Sequence, residues 1–223
     1  MTALAPLQAV LWDMDGLLVD TEPTWTIAEI ELAQRLGGSW SDDLKAQIVG
    51  TRLEVAVPTI LRWYGVPTDA HSVKDSSQWL LARMVELFAE PLRMQPGATD
   101  LLAELRQQHV PVALVSSSYR VLVDAVLASG VGPFDATLAG DEVALGKPHP
   151  EPYLTACIRL GVDPTRCVVL EDSPAGVASG LAAGCAVVAV PSVAGVVLPD
   201  HPRQLLVASL LGIDGARLQE LVT

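Results

Sequence analysis

Two aspartates, Asp13 and Asp15, end the apolar run Ala9-Val-Leu-Trp12, and Gly16 follows them at once. In an extended chain, residues two apart point the same way, so the two carboxylates face a common point. Carboxylates that close resist joint ionisation unless a cation lies between them. A second acidic pair, Glu171-Asp172, ends the apolar run Cys167–Leu170, just before Ser173-Pro174, residues that suit a helix start. Each pair alone also has a plain reading, as an Asx-rich turn or a helix N-cap. If the two run ends are neighbours, three or four oxygen donors converge without an obvious side-chain neutraliser. That is the chemistry of a hard divalent cation such as Mg²⁺. Ser116-Ser117-Ser118 closes another apolar run, and hydroxyls and backbone N–H groups at such a turn bind phosphate well. Lys147, one of three lysines, is fixed in the rigid stretch Gly146-Lys-Pro-His-Pro150.

The elements that must position these groups follow from the apolar runs. Ala9–Trp12, Val110–Val115, Ala136–Ala139, Cys167–Leu170 and Ala186–Val190 are rich in β-branched residues and do not alternate with polar ones, so both strand faces should be covered. Leu205–Ala208 adds a sixth expected strand. From residue 96 onward strands alternate with helix-length segments, several of which stop at Gly130, Gly161, Gly184 and Gly212. The expected class is α/β, a Rossmann-like parallel sheet core flanked by helices. Residues 18–92 break that rhythm. Trp25, Ala28, Leu32 and Leu36 form one helical stripe; Leu53, Val57, Ile60, Leu61 and Tyr64 form a second, which Pro58 should kink or restart; Trp79–Phe88 is a third. The expected division is a core of residues 1–17 and 93–223 with an inserted α-helical cap domain over 18–92.

Half of the 223 residues are hydrophobic, which supports a large core and excludes a disordered chain. Fourteen basic residues against 26 acidic ones, a net charge of −12, argue against nucleic acid and anionic membrane surfaces as partners. The expected partner is a small phosphorylated metabolite, bound by a monomer. Cys157, Cys167 and Cys185 are too few and too far apart for a disulfide framework, and suit a reducing compartment. The first twelve residues lack the basic start and long apolar stretch of an export signal, so the expected location is cytoplasmic. Between Asp172 and Asp200 no residue is charged, but Pro174, Gly176, Gly180, Gly184 and Pro191 divide the stretch into a closely packed helix and a buried strand.

Taken in order, Asp13-Met-Asp-Gly-Leu-Leu-Val-Asp20, Ser116, Lys147 and Glu171-Asp172 resemble the four motifs of the haloacid dehalogenase superfamily, over essentially the whole chain. Within it the chain resembles the β-phosphoglucomutase-like phosphatases, and Leu17–Trp25 is especially similar to sugar-phosphate phosphatases related to 2-deoxyglucose-6-phosphatase. The resemblance implies that Asp13 is a nucleophile forming an aspartyl-phosphate. It implies Mg²⁺ held by the Asp13 carboxylate, the Asp15 backbone carbonyl and Asp172, with Glu171 helping directly or through water. The Asp15 side chain would shuttle a proton, and Ser116 and Lys147 would bind phosphoryl oxygens. Substrate contacts are expected from Arg52 and Trp25 in the cap and from Ser117, Ser118 and Arg120 after the second strand. The implied activity is hydrolysis of a small phosphomonoester, a sugar or polyol phosphate. The rival readings are a sugar phosphomutase and a catalytically idle interaction domain on the same fold. Against the mutase, Trp25 stands where mutases carry a histidine, and Tyr119 replaces a lysine that would hold a second phosphate.

Overall fold

The non-alternating apolar runs form a single parallel sheet. In the computed structural model, which describes residues 7–48, 51–192, 198 and 200–222, the strands are β1 (Ala9–Trp12), β2 (Val112–Val115), β3 (Ala136–Leu138), β4 (Cys167–Glu171), β5 (Ala186–Ala189) and β6 (Gln204–Leu206). Their order across the sheet is β3-β2-β1-β4-β5-β6, with every pairing parallel. The export-signal reading rests partly on residues 1–6, which lie outside the described residues.

Successive residues of each strand serve opposite faces. Val10, Trp12, Val112, Leu114, Val168, Leu170 and Val188 pack on one side with α5 (Ala98–Gln107), α6 (Arg120–Ala128) and α9 (Gly215–Glu220). Ala9, Leu11, Ala113, Val115, Val169 and Val187 pack on the other with α7 (Glu151–Leu160) and α8 (Pro174–Ala182). Gly180 lets α8 lie close on the sheet, since a methyl group there would press on Val169 and Val187. The fold is the expected Rossmann-like α/β sheet with helices on both faces.

Between β1 and β2 the chain makes α1 (Glu22–Arg35), α2 (Asp42–Ile48), α3 (Leu53–Trp63) and α4 (Ala70–Leu87). The chain passes to and from these helices through two segments bound to each other. Asp20 N–H donates to Arg93 O at 2.8 Å, Gln95 N–H to Leu18 O at 3.0 Å, and the Gln95 side-chain amide to Gly16 O at 2.9 Å.

Some boundaries differ from those expected. The second strand starts at Val112 because Val110 closes α5 instead, its N–H donating to Leu105 O at 2.9 Å past a left-handed His109 (φ 57°). Pro58 does not restart its helix: α3 runs through it. Helix α4 begins well before Trp79, because the Asp69 carboxylate caps it by accepting from His71 and Ser72 N–H. Helix α2, opened by Asp42 and Asp43, carries too few apolar residues for a legible stripe.

Candidate active site

The strand register decides which side chains meet. Trp12 lies level with Leu114 on one side and Leu170 on the other. Asp13 therefore leaves the sheet beside Val115-Ser116 and beside Glu171, at the carboxyl edge where open α/β sheets bind ligands. Lys147 reaches into this point from its Gly-Pro turn. Its ammonium donates to Asp13 Oδ1 at 2.6 Å, Glu171 Oε1 at 2.6 Å and Val115 O at 2.9 Å, so all three of its hydrogens are used. Its side chain is only 4% exposed.

One ammonium does not balance the negative charge here. Asp13, Glu171 and Asp172 are all buried, and each brings a carboxylate oxygen within 4.8 Å of the other two. Burial pushes the Asp13 carboxyl well above the usual carboxylate range; the Lys147 charge opposes that push, while Glu171, Asp172 and Asp15 reinforce it. Burial and the Glu171 charge push Asp172 up to about 7. The Asp13 and Glu171 carboxylates hold the Lys147 ammonium above its ordinary value despite its burial. Clustered hard oxygens that resist joint ionisation suit a divalent cation, so the donor set fits Mg²⁺.

Glu171 sits deepest and is satisfied from all sides. Oε1 accepts from Lys147 and from the Tyr153 hydroxyl at 2.7 Å, and Oε2 accepts from the Asp172 and Ser173 N–H groups and the Ser173 hydroxyl. It does not line the cavity described below. Asp15 is held by three hydroxyls: Thr21 donates to Oδ1 at 2.8 Å, while Ser118 and Ser116 donate to Oδ2 at 2.8 and 3.2 Å. Asp172 Oδ2 accepts from Ser192 at 2.5 Å. Two glycines make room for these acids. A side chain at Gly16 (φ 88°) would collide with Asp172, and one at Gly176 with the Glu171 carboxylate.

A cavity of about 480 Å³ opens above this edge, between the strand ends and the helices that follow β1. Asp13, Asp15, Lys147 and Asp172 lie on its wall, as do the expected substrate residues Trp25, Arg52, Ser117 and Ser118. Ser116 is buried behind them; its hydroxyl also accepts from Ser118 N–H at 2.8 Å. Arg120 departs from expectation. Its guanidinium is bound to Glu142, Asp124 and Thr137, and it does not line the cavity. Tyr119 does, with its hydroxyl on Glu54 Oε1 at 2.7 Å. Arg52 crosses from the helices to the sheet edge, donating to Gly140 O at 3.1 Å.

Sequence reasoning missed Tyr153, Thr21, Ser192 and Glu29. Tyr153 was findable: it is the one polar-tipped residue on the buried face of α7. Glu29 was also findable, since it falls on the Trp25, Ala28, Leu32 stripe. Thr21 and Ser192 sit in loops and carry no such signal.

The model of the haloacid dehalogenase-like hydrolases matches residues 7–184. The chain belongs to this family. Among its relatives, Hexitol phosphatase B of Escherichia coli (strain K12) is 32% identical over 197 residues, covering 86% of this chain and 87% of that protein. A phosphorylated carbohydrates phosphatase of Thermotoga maritima is 33% identical over 184 residues, 80% of this chain and 82% of that one. A CbbY variant from Rhodobacter sphaeroides, solved in complex with xylulose-(1,5)bisphosphate, superposes with a TM-score of 0.84 at 27% identity, covering 95% of this chain and 99% of that one. The Escherichia coli and Thermotoga maritima relatives are both named phosphatases, and the chain is a phosphoric monoester hydrolase. Among the described residues no helix is long and apolar enough to cross a membrane.

Replacing Lys147 by Met leaves Asp13 and Glu171 buried without their counter-charge. The expected cost is about 3–5 kcal/mol, the range for breaking a buried ion pair, read by urea unfolding at neutral pH in metal-free buffer. A loss below about 1 kcal/mol would mean that Lys147 does not hold these acids together.

Proposed function

We propose that the chain is a Mg²⁺-dependent phosphatase that hydrolyses a sugar or polyol phosphate through an aspartyl-phosphate on Asp13. The observation that carries this reading is the Lys147 ammonium bridging Asp13 and Glu171 at the floor of a cavity large enough for a small phosphomonoester. The names of the relatives, which act on hexitol phosphates and phosphorylated carbohydrates, support the substrate class.

Asp13, Asp172 and the Asp15 backbone carbonyl would hold the cation. Glu171, its oxygens already committed, would act by fixing Lys147 and the Asp172 backbone. When bound, the cation offsets the negative charge that builds up between nucleophile and phosphoryl group. The remaining steps belong to the protein's own groups. An Asp13 oxygen attacks phosphorus as the ester P–O bond breaks, and Asp15 gives its proton to the departing alkoxide oxygen. Asp15 then removes a proton from a water that attacks phosphorus, and the P–O bond to Asp13 breaks, returning the carboxylate and releasing phosphate. Lys147 balances charge on Asp13 and on the transferring oxygens throughout. Ser116 and Ser118, which hold Asp15 in the substrate-free state, would exchange that bond for one to the phosphoryl group.

In this reading residues 18–92 form a cap over a core made of 1–17 and 93–223, and the paired segments at 18–20 and 93–95 act together as its hinge. Closure excludes water and brings Arg52 onto the leaving group. Free phosphate is the expected product rather than an isomerised sugar phosphate, because Trp25 offers one indole donor and no base.

Asp13→Asn should fold as the parent does and release no phosphate from p-nitrophenyl phosphate, and chelation with EDTA should stop the parent enzyme until Mg²⁺ is restored. Undiminished turnover in the variant would remove the covalent route. For Asp15→Asn the expected fall in kcat is about 10²–10⁴-fold, the usual contribution of a general acid–base group. A fall under tenfold, measured with the same ester, would assign the proton transfer to another residue.

A further inference from the structure

The cavity wall opposite the strand ends has a chemistry that the hydrolytic groups do not explain. Glu22, Trp25 and Glu29 are spaced i, i+3 and i+7 on α1, which puts them on one helix face, and all three line the cavity. Glu29 is 6% exposed, yet a charged side chain is seldom buried unless it is fully paired. Its Oε2 accepts from the Lys45 ammonium at 2.8 Å. Its Oε1 accepts no hydrogen bond among the described residues. The Lys45 ammonium also lies 2.9 Å from Glu22 Oε2, so one cation serves two carboxylates and this face of α1 keeps a net negative charge. Arg52, the other cation on this side of the cavity, is engaged with Gly140 O and lies 3.7 Å from Glu54.

We propose that Glu29, with Trp25 beside it, selects the leaving group, favouring a neutral, hydroxyl-bearing sugar or polyol and turning away one that carries a second phosphate or a carboxylate. The proposal rests on the phosphatase reading above and adds what the far end of the substrate must be. An ionised carboxylate only accepts hydrogen bonds. The ligand group that satisfies Oε1 is therefore a donor, and a hydroxyl is the donor that a phosphorylated carbohydrate supplies. A second phosphate at this wall would meet like charge in a partly desolvated place, where repulsion is strong. Trp25 offers a flat apolar face to the C–H side of the same group. Because Glu29 meets the leaving group and not the phosphoryl group, it is a specificity residue and takes no part in bond breaking.

The test compares the Mg²⁺-loaded parent enzyme with Glu29→Gln and Glu29→Leu on sorbitol 6-phosphate, fructose 1,6-bisphosphate and p-nitrophenyl phosphate. The parent should prefer sorbitol 6-phosphate to the bisphosphate in kcat/KM by about tenfold or more. Glu29→Leu should lower the ratio of sorbitol 6-phosphate to p-nitrophenyl phosphate kcat/KM by about 10–100-fold, the scale of one hydrogen bond to a charged acceptor, with most of the change in KM. Glu29→Gln keeps an acceptor and loses the charge, so it should narrow the gap to the bisphosphate while retaining more of the sorbitol 6-phosphate ratio than Glu29→Leu. A uniform change in all three rates would be a structural effect and would overturn the proposal, as would a parent enzyme that shows no preference between the two sugar substrates. That parent measurement decides the matter even if the Leu variant does not fold. No phosphate release by the parent from any of the three esters would instead overturn the phosphatase reading itself.

Discussion

Three carboxylates and one ammonium share a buried space at the end of the central strand, and the rest of the site is arranged around that imbalance. Lys147 spends all its hydrogens on Asp13, Glu171 and Val115 O, which fixes the ammonium but leaves Asp172 without an ion pair to it. Two charges of like sign in a poorly solvated place cost far more than in water. The chain meets that cost with the register of three strands, with Tyr153 and Ser173 on Glu171, and with glycines at 16 and 176 where a side chain would push the acids apart. Among the described residues, no second cation makes an ion pair with these acids. A divalent cation and an anionic substrate together would complete the balance, which is why a chain with a net charge of −12 suits a phosphate ester.

The sheet and the helices that follow β1 divide the work. Every residue proposed for bond making and breaking stands at a strand end or on a short turn tied to one, where packing on both sheet faces holds it. Such positions tolerate little movement. The helices contribute Trp25, Glu29, Arg52 and the apolar wall of Ile48, Leu53, Ala56 and Leu80. They join the sheet through two hydrogen-bonded segments and a few direct contacts, Arg52 to Gly140 O and Tyr119 to Glu54 among them. Phosphoryl chemistry is the same for any monoester, so selectivity can vary with the helices while the strand ends stay as they are.

How much of this was legible in the chain follows from which residues act near their neighbours in sequence. Asp13-Met-Asp-Gly and Glu171-Asp172-Ser-Pro were readable because each acid ends an apolar run, and strand ends are local features. That the two ends are adjacent, with Lys147 between them, depended on the sheet order, which the alternation of strands and helices constrains through the rules for parallel sheets. Arg120 lies off the cavity wall because its partners Thr137 and Glu142 come from the following strand and turn, and nothing local announces them. Tyr153 and Glu29 were passed over for a different reason. Each is a polar residue on an apolar helical face, and periodicity averages over the exception that carries the information. Ser192 and Thr21 reach their acids from loops, where spacing carries no geometry.

The central claim is that the buried carboxylates form an incomplete charge balance that a divalent cation completes. Calorimetric titration of the substrate-free protein with Mg²⁺, beside Asp172→Asn, measures this directly. One Mg²⁺ should bind per parent chain, and binding should be severely weakened in the variant, since Asp172 is the acid of the cluster that makes no ion pair with Lys147. A parent protein that binds no Mg²⁺, or a variant that binds it as tightly as the parent, would contradict it.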